Sequence, residues 1–166
     1  MPFLIWDASA LIKRYAVELG RDMVNALFDN VPRTQMLGSF WGYVETYSIL
    51  VRKRNDGRLP HADFTQAVSA LRLEVLESNE FGLLSIDDET ALNSIPLIVA
   101  HSLNCADAAF LTVCLEFASD LGPGVGAVTL VASDRRLLRA ARSEGMATFS
   151  PETATAAELA SLLSTF

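Results

Sequence analysis

Short apolar runs alternate with amphipathic stretches along this chain. The apolar runs predict strands at 3–6, 35–38, 81–86, 127–132 and 147–149. Between them, apolar residues recur every three or four positions. This spacing predicts helices at about 9–17, 20–29, 40–54, 60–77, 134–143 and 155–163. Strands separated by helices indicate an α/β fold in which helices cover both faces of a parallel sheet.

Two further segments carry helical patterns. Residues 88–103 look helical, but Pro96 cannot donate a backbone hydrogen bond inside a helix. We therefore expect a kink there, or two short helices with Pro96 near the start of the second. Residues 106, 109, 110, 113, 114 and 117 form an apolar stripe that predicts an amphipathic helix. The segment Gly122–Gly124 is expected to be the loop after it.

Four acidic residues interrupt apolar runs and are candidates for a common site. Asp7 follows the first predicted strand directly, and Asp134 follows the strand predicted at 127–132. The carboxyl ends of parallel strands meet at one edge, where ligands collect in such folds. Glu45 and Asp107 lie on predicted helices beside apolar positions. Taken singly, each acid has a simpler explanation, because three are placed as helix caps or capping-box acids and Glu45 suits a solvated surface.

Four carboxylates at one point would need a cation. Two carboxylates about 5 Å apart repel by roughly 3 kcal/mol at an effective dielectric constant near 20. Mg²⁺ favours such oxygen ligands, whereas zinc is disfavoured because the chain has no Cys/His cluster. The two cysteines, Cys105 and Cys114, fit a reducing cytoplasm better than a disulfide framework. His61 and His101 are isolated, so we assign no general base.

Composition and charge limit the classes of function. A length of 166 residues with 51% hydrophobic residues fits a single domain over 1–166 with its own core. The net charge of −7 argues against a broad basic surface for nucleic acid. Any RNA would have to be held by a bound metal or by local clusters such as Arg52–Arg54 and Arg135–Arg136. Asp7 ends the first apolar run far short of a membrane span, so we expect a cytoplasmic protein without a membrane segment.

The acidic motifs resemble those of the PIN-domain family over about residues 3–149. The matching stretches are Asp7-Ala8-Ser9-Ala10-Leu11 with Lys13-Arg14-Tyr15, Glu45, Cys105-Ala106-Asp107-Ala108-Ala109, and Ala132 to Leu138 followed by Gly145. The resemblance implies a PIN-like parallel sheet of four or five strands sandwiched between helices. It also implies an endoribonuclease, often the VapC-like toxin of a type II toxin–antitoxin pair.

The resemblance assigns roles to particular residues. Asp7, Glu45, Asp107 and Asp134 would bind Mg²⁺ or Mn²⁺, which would activate water against an RNA phosphodiester, and Ser9 would support the site. Many relatives carry Thr or Ser two residues before the last acid, where this chain has Ala132.

Substrate and partner contacts are also expected from the sequence. Lys13, Arg52 and Arg54 are candidate phosphate contacts. Arg52, Arg54 and Lys53 between them have an alternative explanation, because they could simply form the solvated end of a helix. Expected partners are RNA, a cognate antitoxin and a second copy of the chain in a homodimer. The apolar stretches near 41–51 and 64–76 would suit a partner helix or a second copy, or else belong to the core.

Other functional classes compete with this hypothesis. A haloacid-dehalogenase-type phosphatase needs a second Asp two residues after the first, where this chain has Ser9. The glycines at 122–126 lack the lysine and hydroxyl pattern of a P-loop. The serious alternative is a PIN-like fold that keeps its acids for architecture and serves as a non-catalytic protein-binding module. Binding of Mn²⁺ distinguishes that alternative from the enzyme.

Overall fold

A five-stranded parallel sheet forms the centre of the computed structural model, which describes residues 1–122 and 127–166. Its strands are β1 (Phe3–Trp6), β2 (Met36–Ser39), β3 (Gly82–Leu84), β4 (Val128–Val131) and β5 (Ala147–Phe149). They are ordered β3-β2-β1-β4-β5, and every neighbouring pair is parallel. The predicted α/β fold with a parallel sheet is confirmed. The loop predicted at 122–124 lies mostly outside the described residues, as do the glycines at 124 and 126.

Helices connect the strands. They are α1 (Ala8–Tyr15), α2 (Arg21–Asn30), α3 (Phe40–Asn55), α4 (His61–Leu71), α5 (Asp88–Asn93), α6 (Ile95–His101), α7 (Cys105–Asp120), α8 (Arg135–Ser143) and α9 (Ala156–Leu163). A π-helical turn over Arg72–Leu76 continues α4, so the long helix predicted at 60–77 is present with a wider last section.

The sheet is covered on both faces, because alternate residues of a strand point to opposite sides. In β1, Leu4 and Trp6 pack into one apolar cluster with residues of α1 to α4, whereas Ile5 packs into a second cluster with residues of α7 and α8. Leu4, Ile5 and Trp6 have no exposed surface. Burial on both faces explains why this strand is a continuous apolar run rather than an alternating one.

Pro96 separates two short helices, as the sequence predicts. Residue Ser94 lies between α5 and α6, and Pro96 is in the first turn of α6, where its missing N–H costs no helical hydrogen bond. Ser102 then ends α6 with a φ of 54°, a left-handed conformation that is uncommon for a residue other than glycine. The chain turns sharply there into α7, which packs against α5.

In the described part of the chain, no single helix has the length and hydropathy to cross a membrane. The α5–α6 segment and α7 meet those criteria only as a pair, and they are bent by 110° relative to each other.

Candidate functional site

Two of the predicted acids lie at the carboxyl edge of the sheet, on the ends of neighbouring strands. The backbone N–H of Asp7 donates to the carbonyl oxygen of Val131, at 3.0 Å, which extends the pairing of β1 with β4. Asp7 Oδ2 accepts from the N–H of Ser9 at 2.9 Å and caps α1. Asp134 Oδ1 accepts from the N–H groups of Arg136 and Leu137, at 2.7 and 2.9 Å, and caps α8. Each cap fixes the direction of a carboxylate at this edge.

The hydroxyl of Ser9 joins these two acidic segments. Its Oγ donates to Asp7 Oδ2 and accepts from the backbone N–H of Ser133, at 2.9 Å, and of Asp134, at 3.2 Å. One side chain therefore ties the end of β1 to the end of β4. The Oγ of Ser133 is itself buried and has no hydrogen-bond partner within the described ranges.

We expect Ser9→Ala to destabilise the protein by about 1–3 kcal/mol, because the backbone N–H groups of half-buried Ser133 and exposed Asp134 lose their acceptor and each such hydrogen bond contributes roughly 0.5–1.5 kcal/mol. Chemical denaturation measures this change in the free energy of unfolding. Ser69→Ala, at an exposed position of α4, is the matched control and should change it by less than about 0.5 kcal/mol. Equal stability of the two variants would contradict a bridging role for the Ser9 hydroxyl.

The other two predicted acids line a cavity of about 350 Å³ together with Asp7. Glu45 lies on α3 and is exposed. Asp107 is half-buried in the first turn of α7, and its Oδ2 accepts from Asn104 Nδ2 at 2.8 Å. The backbone N–H of Asp107 donates in turn to Asn104 Oδ1, so Asn104 caps α7, but the Asp107 carboxylate accepts from the Asn104 side chain and not from its backbone N–H as a capping box requires. Asp134 is exposed at the same edge of the sheet.

The four carboxylates interact electrostatically. Burial raises the pKa of Asp7, and the charge of Asp134 adds to this effect. Desolvation likewise raises the pKa of Glu45, with further contributions from Asp7 and Asp134. Burial, followed by the charges of Asp7, Asp134 and Glu45, raises the pKa of Asp107 to about 6. Four acids from distant parts of the sequence therefore lie within electrostatic range of one another.

The carboxylates do not converge on a common point. Among residues 1–122 and 127–166, no three Asp, Glu, His or Cys side chains are placed to hold one metal ion. Mutual repulsion favours separated carboxylates, and the hydrogen bonds of Asp7, Asp107 and Asp134 hold each of them to its own helix. The chemistry of this donor set still fits Mg²⁺ or Mn²⁺, because hard cations prefer carboxylate oxygen.

The expectation that Lys13 contacts phosphate does not agree with the structure. Lys13 is only 2% exposed, and its Nζ lies 2.7 Å from Glu152 Oε1 and 3.1 Å from Glu18 Oε2. Helix α1 runs away from the carboxyl edge, and Lys13 is one turn, about 6 Å, beyond Ser9. Its ammonium group is thus neutralised by two carboxylates away from the acids at the edge.

The two candidate arginines differ in their surroundings. Arg52 is exposed and lies two turns after Glu45 on the same face of α3. Desolvation raises the pKa of Glu45, and the positive charge of Arg52 partly opposes this effect. Arg54 instead lies over the ring of Phe64 at 4.5 Å and donates to Asn55 Oδ1 at 2.9 Å. Arg52 is the better placed of the two for a phosphate near Glu45.

The cavity also contains residues that the sequence reasoning missed. Trp41 of α3 lies in its wall, and Asp87 and Asp88 lie where the chain leaves β3. The rule that ligands collect after parallel strands would have found the two aspartates, because they directly follow the strand predicted at 81–86. Trp41 carried a weaker signal, since it lies one helical turn before Glu45.

A parallel sheet in this order, with acids after its central strands, is the PIN-like α/β arrangement expected from the sequence. Solved structures with this fold include VapC20 of Mycobacterium tuberculosis, described as a toxin that cleaves the sarcin-ricin loop. It is 17% identical with a TM-score of 0.61, over 82% of this chain and 94% of its own.

Two further solved structures are similar. PAE2754 of Pyrobaculum aerophilum is 17% identical with a TM-score of 0.64, over 98% of this chain and 96% of its own. FitAcB of Neisseria gonorrhoeae is 14% identical with a TM-score of 0.61, over 92% of this chain and 100% of its own. Neither a protein-family model nor a curated protein matches the sequence. The similarity to solved structures at this level of identity shows that the chain has a PIN-like fold of the VapC type.

Proposed function

We propose that this protein is a divalent-metal-dependent endoribonuclease, acting in the cytoplasm as the VapC-like toxin of a toxin–antitoxin pair. The observation that carries the proposal is the grouping of Asp7, Glu45, Asp107 and Asp134 at one edge of a PIN-like sheet, where three of the four have raised pKa values. Neighbouring carboxylates that raise one another's pKa are typical of a site built for a cation.

In this proposal the four acids hold Mg²⁺ or Mn²⁺. Such an ion, when bound, supplies positive charge for the phosphate and Lewis acidity for attack by water. The capping bonds engage one oxygen each of Asp7 and Asp134, which leaves the second oxygen of each for the cation. Ser9 holds the two acids in register, and Arg52 offers a positive charge to a phosphate near Glu45. Hydrolysis would leave a 5′-phosphate and a 3′-hydroxyl.

The proposed partners follow from the similar structures. VapC20 is described as a toxin. A structure of FitAB was solved bound to a DNA fragment. We infer a cognate antitoxin for this chain, and a homodimer as its assembly. The exposed apolar side chains of Val44 and Tyr47 on α3 offer surface for a protein partner.

The decisive test is cleavage of labelled single-stranded RNA by the purified chain. We expect cleavage with Mg²⁺ or Mn²⁺ and none with a chelator. Mn²⁺ at a hundred times its dissociation constant should also stabilise the fold by about 2.7 kcal/mol, which corresponds to a rise in Tm of about 5–11 °C. The rise should be smaller at pH 5 than at pH 7.5, because protons compete for Asp107, whose pKa is about 6.

The alternative function gives a different result. A non-catalytic binding module with the same fold would show neither cleavage nor a Mn²⁺-dependent rise in Tm, and calorimetry would detect no Mn²⁺ binding. That combination would remove the nuclease proposal and leave the fold as a protein-binding scaffold.

A further inference from the structure

The cavity beside the four acids has a wall suited to a flat, uncharged group. Its apolar lining is formed by Trp41, Ile86, Ala91, Ala106, Ala109 and Phe110. Its described lining residues include five acids, Asp7, Glu45, Asp87, Asp88 and Asp107, and neither Lys nor Arg. Away from a bound cation a phosphate would be repelled by these acids, whereas a neutral aromatic ring would be accepted. At about 350 Å³ the cavity is within the range of small-ligand pockets and has room for one nucleobase.

Trp41 is placed to stack on such a ring. Its side chain is 65% exposed although it lines the cavity, so one face of the indole is open to a ligand. Trp41 and Glu45 are four residues apart on α3, which puts their Cβ atoms roughly 5–6 Å apart on one face of the helix. A base on Trp41 would therefore have its sugar and phosphate beside the acids. Stacking of this kind contributes about 1–3 kcal/mol per base.

Asp88 adds a hydrogen-bond acceptor to the same cavity. It lies exposed in the first turn of α5, while its neighbour Asp87 is engaged as the helix cap, accepting from the N–H of Thr90 at 2.8 Å. An ionised carboxylate only accepts hydrogen bonds. It would favour a base with an exocyclic amino group, such as guanine, adenine or cytosine, over uracil, whose single N–H donor lies between two carbonyl oxygens that a carboxylate repels.

We propose that this cavity is a base-binding subsite for an unpaired nucleotide next to the scissile phosphate. The base stacks on Trp41, and its amino group donates to Asp88. This inference rests on the proposed nuclease function and gives it a substrate class: single-stranded RNA with an amino-bearing base at that position. A paired base could not enter the cavity without leaving its helix, so duplex RNA would be cleaved poorly.

Kinetics of the purified protein on the single strands UUGUU, UUAUU and UUUUU test the proposal. Trp41→Ala should lower kcat/KM on the guanine- and adenine-containing strands by roughly 5- to 150-fold, whereas Trp41→Phe, which keeps an aromatic face, should retain most of the activity. Phe40→Ala is the matched control, because Phe40 is a 47% exposed aromatic residue on the same helix and does not line the cavity. Asp88→Asn should reduce the preference for these strands over UUUUU.

Tryptophan fluorescence gives an independent readout of binding. The chain has two tryptophans, and Trp6 has no exposed surface, so quenching by an oligonucleotide reports on Trp41. With Ca²⁺ in place of Mg²⁺ to slow cleavage, we expect UUGUU to quench the wild type and to leave Trp41→Phe unchanged.

Wild-type kcat/KM in Trp41→Ala would overturn the inference while leaving the nuclease function intact. If that variant also changed its oligomeric state by gel filtration, this surface would be a protein interface. A wild type that cleaves none of the strands, in Mg²⁺ or in Mn²⁺, would instead overturn the proposed function itself.

Discussion

Asp7→Asn should reduce RNA cleavage by at least about a thousandfold, more than the ten- to hundredfold loss typical of residues that only support a metal ligand. Asp7 is central to the proposed metal site, because the pKa values of both Glu45 and Asp107 respond to its charge. Asparagine keeps an acceptor for the N–H of Ser9 but lacks the negative charge that a divalent ion requires. The variant should also lose most of its Mn²⁺-dependent rise in Tm.

The same substitution should leave the metal-free protein as stable as the wild type or more stable at pH 7.5. Burial raises the pKa of Asp7, so the contribution of this group to stability is present at low pH and is lost as pH rises through its folded pKa. Asparagine does not ionise, so the variant does not lose this stability as pH rises. The stabilities of variant and wild type should therefore converge below about pH 4, the ordinary pKa of Asp.

Asp22→Asn is the control for both effects, since Asp22 is exposed in the first turn of α2 and is not among the acids at the carboxyl edge. It should cleave RNA and respond to Mn²⁺ as the wild type does. Retention of full cleavage by Asp7→Asn would contradict the assignment of the metal site. Circular dichroism would show whether a loss of cleavage in Asp7→Asn results from unfolding.

The sheet edge could be predicted because its signals are local. A buried strand followed at once by an acid identifies both an element and the side on which it ends, and this holds for Asp7 after β1. The two aspartates missed after β3 begin three residues after its last residue, Leu84. The capping explanation and the metal hypothesis are compatible, because a capped carboxylate still has a second oxygen. Helix caps at this edge hold acids where a cation would need them.

Contacts between distant segments could not be predicted. Lys13 is expected from the sequence to contact phosphate, because it lies about one helical turn beyond the strand end that carries Asp7. Nothing nearby in the sequence indicates its partner Glu152, which lies 139 residues further along the chain. The apolar cavity wall is similarly assembled from α3, α5 and α7, so no single stretch of sequence displays it. Such features depend on the tertiary packing of helices.

Lys13→Met should be the most destabilising of these substitutions, with a loss of about 3–5 kcal/mol in the free energy of unfolding and of about 6–20 °C in Tm. The buried ammonium lies between Glu18 and Glu152, and Glu18 also binds Lys53, with Nζ and Oε1 2.5 Å apart. Burial alone would raise the pKa of Glu18, but its bonds from Lys53 and Lys13 lower it. Without Lys13, Glu152 loses the cation that it is paired with and Glu18 keeps only Lys53.

Urea denaturation of Lys13→Met, Glu152→Gln and the double variant measures this effect. The lysines lower the pKa of Glu18, so the stability that their charges contribute is present above its unfolded pKa and is lost as pH falls. The difference in free energy of unfolding between the wild type and Lys13→Met should therefore shrink toward pH 3. The double variant should lose less than the sum of the single variants, since the two residues interact directly.

Arg58→Met is the matched control for removal of a cation, because Arg58 is 62% exposed and pairs with Asp56 at the surface. It should leave the free energy of unfolding close to that of the wild type. At a temperature where Lys13→Met is folded, its kcat/KM on RNA should equal that of the wild type. Wild-type stability combined with a tenfold loss of cleavage would show instead that Lys13 acts on the substrate, as its position in the sequence first suggested.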